Sequence, residues 1–143
     1  MTIRKLTTAN RDAVKDINRL LQQLSQDSSR KGGTLGELKR IVADPTAVLL
    51  TLKDGTRIIG VATLYLMTQM GKSSGYVEDV VVDEAYRGQG LGAKLMNALI
   101  AEARKKKLGS IHLTSRPARV AANKLYQKLG FEQRETNVYR LKL

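Results

Sequence analysis

Val80-Val81-Val82-Asp83-Glu84-Ala85-Tyr86-Arg87-Gly88-Gln89-Gly90-Leu91-Gly92-Ala93 is the stretch on which the reading of this chain turns. Three consecutive β-branched residues read as the end of a strand, a glycine-rich connection follows, and Leu91 begins a run with helical spacing. The first amides of a helix have no partner inside it and lie at the positive end of its dipole. Glycines let such amides approach an anion with no Cβ in the way. The segment therefore reads as a pyrophosphate cradle, with Arg87 adding a fixed charge at its rim. The competing reading is a tight strand-to-helix turn in which Gly92 only allows close packing.

Two other phosphate motifs are excluded. Gly88, Gly90 and Ala93 match G-x-G-x-x-G/A, but the strand ends near Val82, several residues too early. The region Leu113-Thr114-Ser115-Arg116 also lacks the acid that would bind a ribose. Gly71-Lys72-Ser73 resembles the end of a P-loop, yet Leu66 stands where that motif needs its first glycine, and no helix pattern follows.

Working outward, Ala13, Ile17, Leu20, Leu21 and Leu24 predict an amphipathic helix over about Thr8–Gln26. Asp27 to Gly33 reads as a loop, and Thr34-Leu35-Gly36-Glu37 has the capping-box pattern that opens a short helix to Ala43. Ala47–Leu52 and Arg57–Met67 read as strands joined by a hairpin at Asp54-Gly55. A strand over Gly75–Val82 follows, then a helix over Gly90–Lys107, a strand over Ser110–Ser115 and a helix over Arg119–Leu129. A strand pair over Phe131–Leu143 closes the chain. The order βααβββαβαββ predicts an α/β domain with helices on a mixed sheet.

The composition is that of one globular domain: 143 residues, 42% hydrophobic and 27% charged. The absence of Cys excludes disulfides and thiolate chemistry, and with a single His, His112, no metal site is expected. The longest apolar run, Ile58–Met67, is about half of what a membrane span needs. The N-terminus is polar, so a cytoplasmic protein is expected. Twenty-five Lys and Arg against 13 acids give a net charge of +12. That balance favours polyanions, although the densest cluster, Arg104 to Lys107, lies where cations complement a helix C-terminus.

Arg87-x-x-Gly90-x-Gly92 after a strand resembles the acyl-CoA-binding motif of the GNAT superfamily of N-acetyltransferases. Asn123-Lys124-Leu125-Tyr126-Gln127-Lys128-Leu129-Gly130-Phe131 resembles that family's later N-x-x-L-Y-x-x-x-G-F helix. The resemblance covers about Gly75 to Phe131. It implies one N-acetyltransferase domain over residues 1–143. The implied fold has a mixed sheet of about seven strands, about four helices, and two central strands that splay apart. It also implies acetyl-CoA as co-substrate and acetyl transfer to a primary amine by direct attack.

By the same resemblance, the backbone of Val80, Val81 and Val82 would hold the pantetheine arm. Amides of Arg87, Gly88, Gln89, Gly90, Leu91, Gly92 and Ala93 would wrap the pyrophosphate. Asn123 would contact the cofactor, and Tyr126 would assist the departing thiolate. On the helical wheel, Ala121, Leu125 and Leu129 form the core stripe, with Tyr126 on its flank. The family's frequent Glu on the next strand falls here at Thr114. The base is therefore sought on the preceding strand, where simple alternation puts Glu78 on one face with Val80 and Val82, and Asp79 on the other. Glu78, Asp79 and no dedicated base all stay open, and His112 reads as structural. The acceptor pocket is expected from the first two helices and the 27–33 loop. The expected partner is a small-molecule or protein amine, with no specific nucleic acid and no membrane; homodimerisation is left open. A non-catalytic acyl-CoA sensor, or a basic ribosome or nucleic-acid docking module, is the alternative.

Overall fold

The Asp-Gly pair forms the turn that the sequence predicts. It joins β2 (Ala47–Asp54) to β3 (Arg57–Gln69) in an antiparallel hairpin running from Asp54↔Arg57 to Ala47↔Tyr65. The computed structural model describes residues 1–24 and 30–143. A second reversal at Met70-Gly71 leads into β4 (Lys72–Val82), and β1 (Thr2–Lys5) pairs antiparallel on the far side of β2. β5 (Ser110–His112) joins β4 in parallel, so the sheet is mixed, in the order β1-β2-β3-β4-β5.

Both faces of the sheet are covered. Val48, Leu50, Leu52, Ala62 and Leu64 point to one face, where Leu91, Leu95, Met96 and Leu99 of α3 (Leu91–Lys105) and Tyr126 of α4 (Val120–Lys128) pack on them. Leu49, Val61 and Val81 point to the other face, against Ala13 and Leu20 of α1 (Arg11–Leu24) and Leu38 of α2 (Leu35–Ala43). Burial on both faces explains why the start of β2 reads as a continuous apolar run.

Helix starts follow local capping. Asn10 accepts a hydrogen bond from Ala13 N at 2.8 Å, which starts α1 later than Thr8. Its expected end at Gln26, and positions 27–29 of the expected loop, lie outside the described residues. Thr34 and Glu37 form the reciprocal capping box that the sequence predicts.

Two expectations need correction. Among the described residues the sheet has five strands, not about seven, with four α-helices. β5 stops at His112 because β4 and β5 separate beyond the Tyr76↔His112 pair. Phe131–Leu143 forms no strand pair: Phe131 N bonds Tyr126 O and the ring packs on the core, but residues 132–143 lie exposed with no ladder to join.

A buried carboxylate ties these layers together. Asp83, at the end of β4, is only 4% exposed; it accepts hydrogen bonds from Ala85 N and from Arg19 of α1. Arg19 also donates to Ile58 O at 2.9 Å, and Gln23 accepts from Glu84 N at 2.9 Å. Helix α1 is thereby bolted to the entrance of the glycine turn.

Burial alone would raise the Asp83 pKa, but the bonds from Ala85 N and Arg19 outweigh it and hold the carboxyl below its ordinary value. A carboxyl lowered on folding stabilises the native state above its unfolded pKa of about 3.9, and that contribution disappears as pH falls through the folded value. Asp83→Asn cannot titrate. The variant should be less stable than the parent at pH 7, and its melting temperature should fall less between pH 7 and pH 3. Parallel melting curves at the two pH values would remove Asp83 from the acid response.

Candidate active site

The glycine turn delivers free amides to one place. Gly88 and Gly90 have φ of +76° and +70°, and a Cβ added at either would meet nothing within 4 Å. Open space of this kind beside a left-handed backbone is what a cradle for a bulky anion requires. Gly90 is the N-cap of α3 and offers no side chain to the helix amides; the first helical bond is Lys94 N to Gly90 O at 3.1 Å. The amides of Leu91, Gly92 and Ala93 therefore have no partner inside the helix. Gln89 is exposed and Leu91 anchors the turn in the core. A Cβ at Gly92 would lie 3.4 Å from Leu125 Cδ2 of α4, an ordinary contact. Arg87 Nε reaches back to Val82 O at 3.3 Å, which places the cation beside the end of β4.

Next to this turn the sheet opens. The parallel pairing of β4 with β5 covers Ser74↔Ser110, Gly75↔Ile111 and Tyr76↔His112, and goes no further. From Val77 to Val82, β4 continues paired to β3 on its other edge only. The edge carrying Val80, Val81 and Val82 therefore faces a gap, and the gap leads to the first turn of α3. Side chains divide there: Val80 and Val82 pack on the α3 face, while Val81 is buried on the α1 face.

The placement of Glu78 departs from simple alternation. The register shifts between Val61 and Thr63, and Asp79 takes φ +54°, so β4 carries a bulge at this point. Val77 points to the α3 core and Glu78, opposite Thr63, points to the α1 face. One residue is then absorbed by the bulge, so Val80 and Val82 return to the α3 face. Glu78 does not share a face with Val80 and Val82, and Asp79 is not turned away from it.

Asp79, with Asn18, Leu38, Thr63 and Tyr65, lines a cavity of about 430 Å³ between the sheet, α1, α2 and residues 30–34; Glu78 is not in that lining but pairs with Thr63, which is. Arg30 grips Asp79 with two bonds of 2.9 and 3.0 Å. Asn18 holds Gly33 by both its N–H and its carbonyl. Burial and then the negative charge of Asp79 raise the Glu78 pKa, with Arg30 opposing. Burial likewise raises the Tyr65 phenol. This cavity lies where the first two helices meet residues 30–34; positions 27–29 of the expected loop lie outside the described residues.

Tyr126 is more deeply set than the wheel suggests. It is 7% exposed and meets Phe131 edge to face at 5.9 Å between ring centres, whereas Ala121, assigned to the core stripe, is exposed. The helix is rotated so that its largest ring, rather than its smallest methyl, faces the core. Burial raises the Tyr126 pKa, with Arg119 opposing, so the phenol keeps its proton at neutral pH. Asn123 donates to Arg116 O at 2.9 Å and so ties α4 to the loop after β5. His112 stacks on Tyr76 at 5.4 Å and meets Ser110 Oγ at 3.1 Å.

Glu78 and Tyr126 thus stand on opposite faces of the sheet, with the β4–β5 gap between those faces. The residues that sequence reading missed are Arg30, Tyr65 and the Arg19–Asp83 tie. Their signal lies in tertiary contact rather than in any local pattern. Among the described residues no cluster of three or more His, Asp or Glu could hold a metal ion, and no helix is long and apolar enough to cross a membrane.

Over 82 residues the chain is 39% identical to the glucosamine 6-phosphate N-acetyltransferase of Trypanosoma brucei brucei, covering 55% of this chain and 54% of that protein. Over 80 residues it is 35% identical to the [ribosomal protein bS18]-alanine N-acetyltransferase of Escherichia coli K12, covering 48% of this chain and 54% of that one. The chain spans about half the length of these curated relatives. The crystal structure of a Trypanosoma brucei acetyltransferase, 29% identical, superposes with a TM-score of 0.76 over 99% of both chains. The sequence model of the acetyltransferase (GNAT) family matches residues 15–131, and the chain belongs to that family.

Proposed function

We propose that this protein transfers the acetyl group of acetyl-CoA to a primary amine of a small molecule or protein by direct attack. The observation that carries this reading is the left-handed glycine turn at the head of α3 lying beside the released edge of β4. The turn suits the pyrophosphate, with the amides of Arg87 to Ala93 around it and the Arg87 side chain at the rim. The backbone of Val80, Val81 and Val82 suits the pantetheine arm, taken up as an added strand. Acetyl-CoA supplies an activated acyl carbon and a thiolate leaving group. An amide on the released edge of β4 would then stabilise the oxyanion that forms at the thioester carbonyl.

The amine enters from the α1 face, through the cavity lined by Thr63, the cross-strand partner of Glu78. Its volume of about 430 Å³ lies within the range of pockets for compact ligands. Glu78 accepts the proton that the amine sheds, directly or through water. Its raised pKa brings it nearer to neutral pH, as a base requires. Tyr126, kept protonated by burial, donates to the departing sulfur from the opposite face. Asn123 supports it by fixing the loop against which the cofactor lies.

Thiol release from acetyl-CoA on mixing with an amine panel tests the reading as a whole: release with no amine dependence, or none at all, would leave only a binding protein. Gly90→Val forces a β-branched residue to a φ near +70°. It should weaken acetyl-CoA binding at least about tenfold in a variant that still folds. Calorimetry showing unchanged affinity would remove the cradle. Tyr126→Phe should lower turnover by roughly 10²-fold with little change in acetyl-CoA affinity, and the loss should shrink with a more acidic leaving thiol.

The pH profile tests Glu78. A base must be deprotonated to act, so the rate should rise with pH through its raised pKa. Arg30 opposes that rise in pKa, so Arg30→Ala should move the acid limb to higher pH. Asp79→Asn removes a neighbouring negative charge and should move it lower. Glu78→Gln should abolish the limb. Profiles that stay fixed in all three variants would exclude Glu78 as the base.

A further inference from the structure

Ser115 carries a buried hydroxyl with no partner in the chain. Its Oγ has no contact with solvent and no hydrogen bond, and among the described residues it is the one buried side-chain oxygen or nitrogen in that state. A bond left unmade in this way destabilises the folded chain, and native proteins carry few of them. An alanine would fill nearly the same space with nothing to satisfy. Packing therefore does not explain the hydroxyl, and a group that enters from outside the chain would.

The place of Ser115 limits what that group can be. The residue follows β5, beyond the last β4–β5 pair, Tyr76↔His112. Ile111 and Leu113 pack on the α3 side of the sheet. His112 stacks on Tyr76, whose cross-strand neighbour Tyr65 lines the cavity on the α1 side. Thr114 is exposed and Ser115 is again half-buried, so the alternation runs on past the ladder and returns Ser115 to the side of α3 and α4. The next residue is fixed, because Arg116 O accepts from Asn123 Nδ2 at 2.9 Å and from Arg119 N at 3.0 Å. Ser115 thus belongs to the wall across the gap from the released edge of β4, on the same side of the sheet as Tyr126.

We propose that the Ser115 hydroxyl donates a hydrogen bond to an amide carbonyl of the pantetheine arm when acetyl-CoA lies in the gap. The arm carries secondary amides on an otherwise largely apolar chain, and those amides need partners once water is excluded. A hydroxyl with no bond in the free protein has none to break on binding, so the new bond counts fully toward affinity. The inference rests on the acetyl-CoA reading of the gap, and it adds a contact from the β5 side to those of Val80, Val81 and Val82.

Melting and binding measurements test it without turnover. Ser115→Ala removes an unsatisfied group, so the ligand-free variant should melt higher than the parent by roughly 2–4 °C. Its affinity for coenzyme A, by calorimetry, should fall about tenfold. Affinity for adenosine 3′,5′-bisphosphate, which lacks the arm, should be the same in both proteins. Ser115→Cys, similar in shape and a poor donor, should lose coenzyme A affinity likewise, and it decides the matter if the alanine variant packs badly. A parent that binds no coenzyme A would remove the acetyl-CoA reading and this contact with it. A parent that binds, with variants that bind equally well, would remove the contact alone. So would ligand-free variants that both melt below the parent, since the hydroxyl would then have a partner within the chain. Equal losses for coenzyme A and the bisphosphate would also overturn the assignment to the arm.

Discussion

β4 has two edges and cannot use both for the sheet if it is also to hold a ligand. Its edge toward β3 is paired along most of its length, and its edge toward β5 is released after Tyr76. Much of the architecture follows from that release. The gap needs a rigid wall, which the long β3 pairing supplies, and a floor at its end, which the head of α3 supplies. The bulge at Asp79 lies inside the released section, where one extra residue disturbs no ladder on the open side. It turns Glu78 to the α1 face and puts Asp79 in the lining of the cavity there, while Val80 and Val82 remain in the α3 core. A regular strand could not put two neighbouring acids on one side of the sheet and keep the following valines packed on the other.

The ties at the end of β4 make the two sides of the gap interdependent. Arg19 and Gln23 of α1 hold Asp83 and Glu84, and the Tyr86 hydroxyl donates to Asp54 in the β2–β3 turn at 2.9 Å. The glycine turn begins one residue later. Ile17, Asn18 and Leu21 of the same helix line the cavity on the α1 face. One helix therefore borders that cavity and holds the carboxylate at the start of the glycine turn.

Much of this could be read from the sequence because it is local. Asp54-Gly55, the Thr34–Glu37 box and the glycines before Leu91 act through their own backbone, and each stands where its chemistry places it. The bulge at Asp79 could not be read, since nothing about Glu78-Asp79-Val80 breaks the period of two on its face. The conformation of Asp79 is over-determined from outside, by the grip of Arg30 and the register of β3. The rotation of α4 was hidden for a related reason: Ala121 and Tyr126 compete for the core, and the ring wins because Phe131 waits for it. The C-terminal arm has a strand's pattern, but a pattern names no partner.

The charge also becomes interpretable once the acids are placed. Asp16, Glu37, Asp44, Asp54, Asp79 and Asp83 each accept a hydrogen bond from a backbone amide, a hydroxyl or a guanidinium. Those carboxylates fix turns and caps, and hydrogen bonds hold Asp44 and Asp83 below the ordinary carboxylate range. The 25 Lys and Arg exceed the 13 Asp and Glu, which leaves the net charge of +12. The resulting field reaches about 8 Å at physiological salt and attracts any polyphosphate without selecting one. Glu78 runs against the pattern: among the described acids it is the one whose pKa is raised, because burial and Asp79 act on it more strongly than Arg30 does.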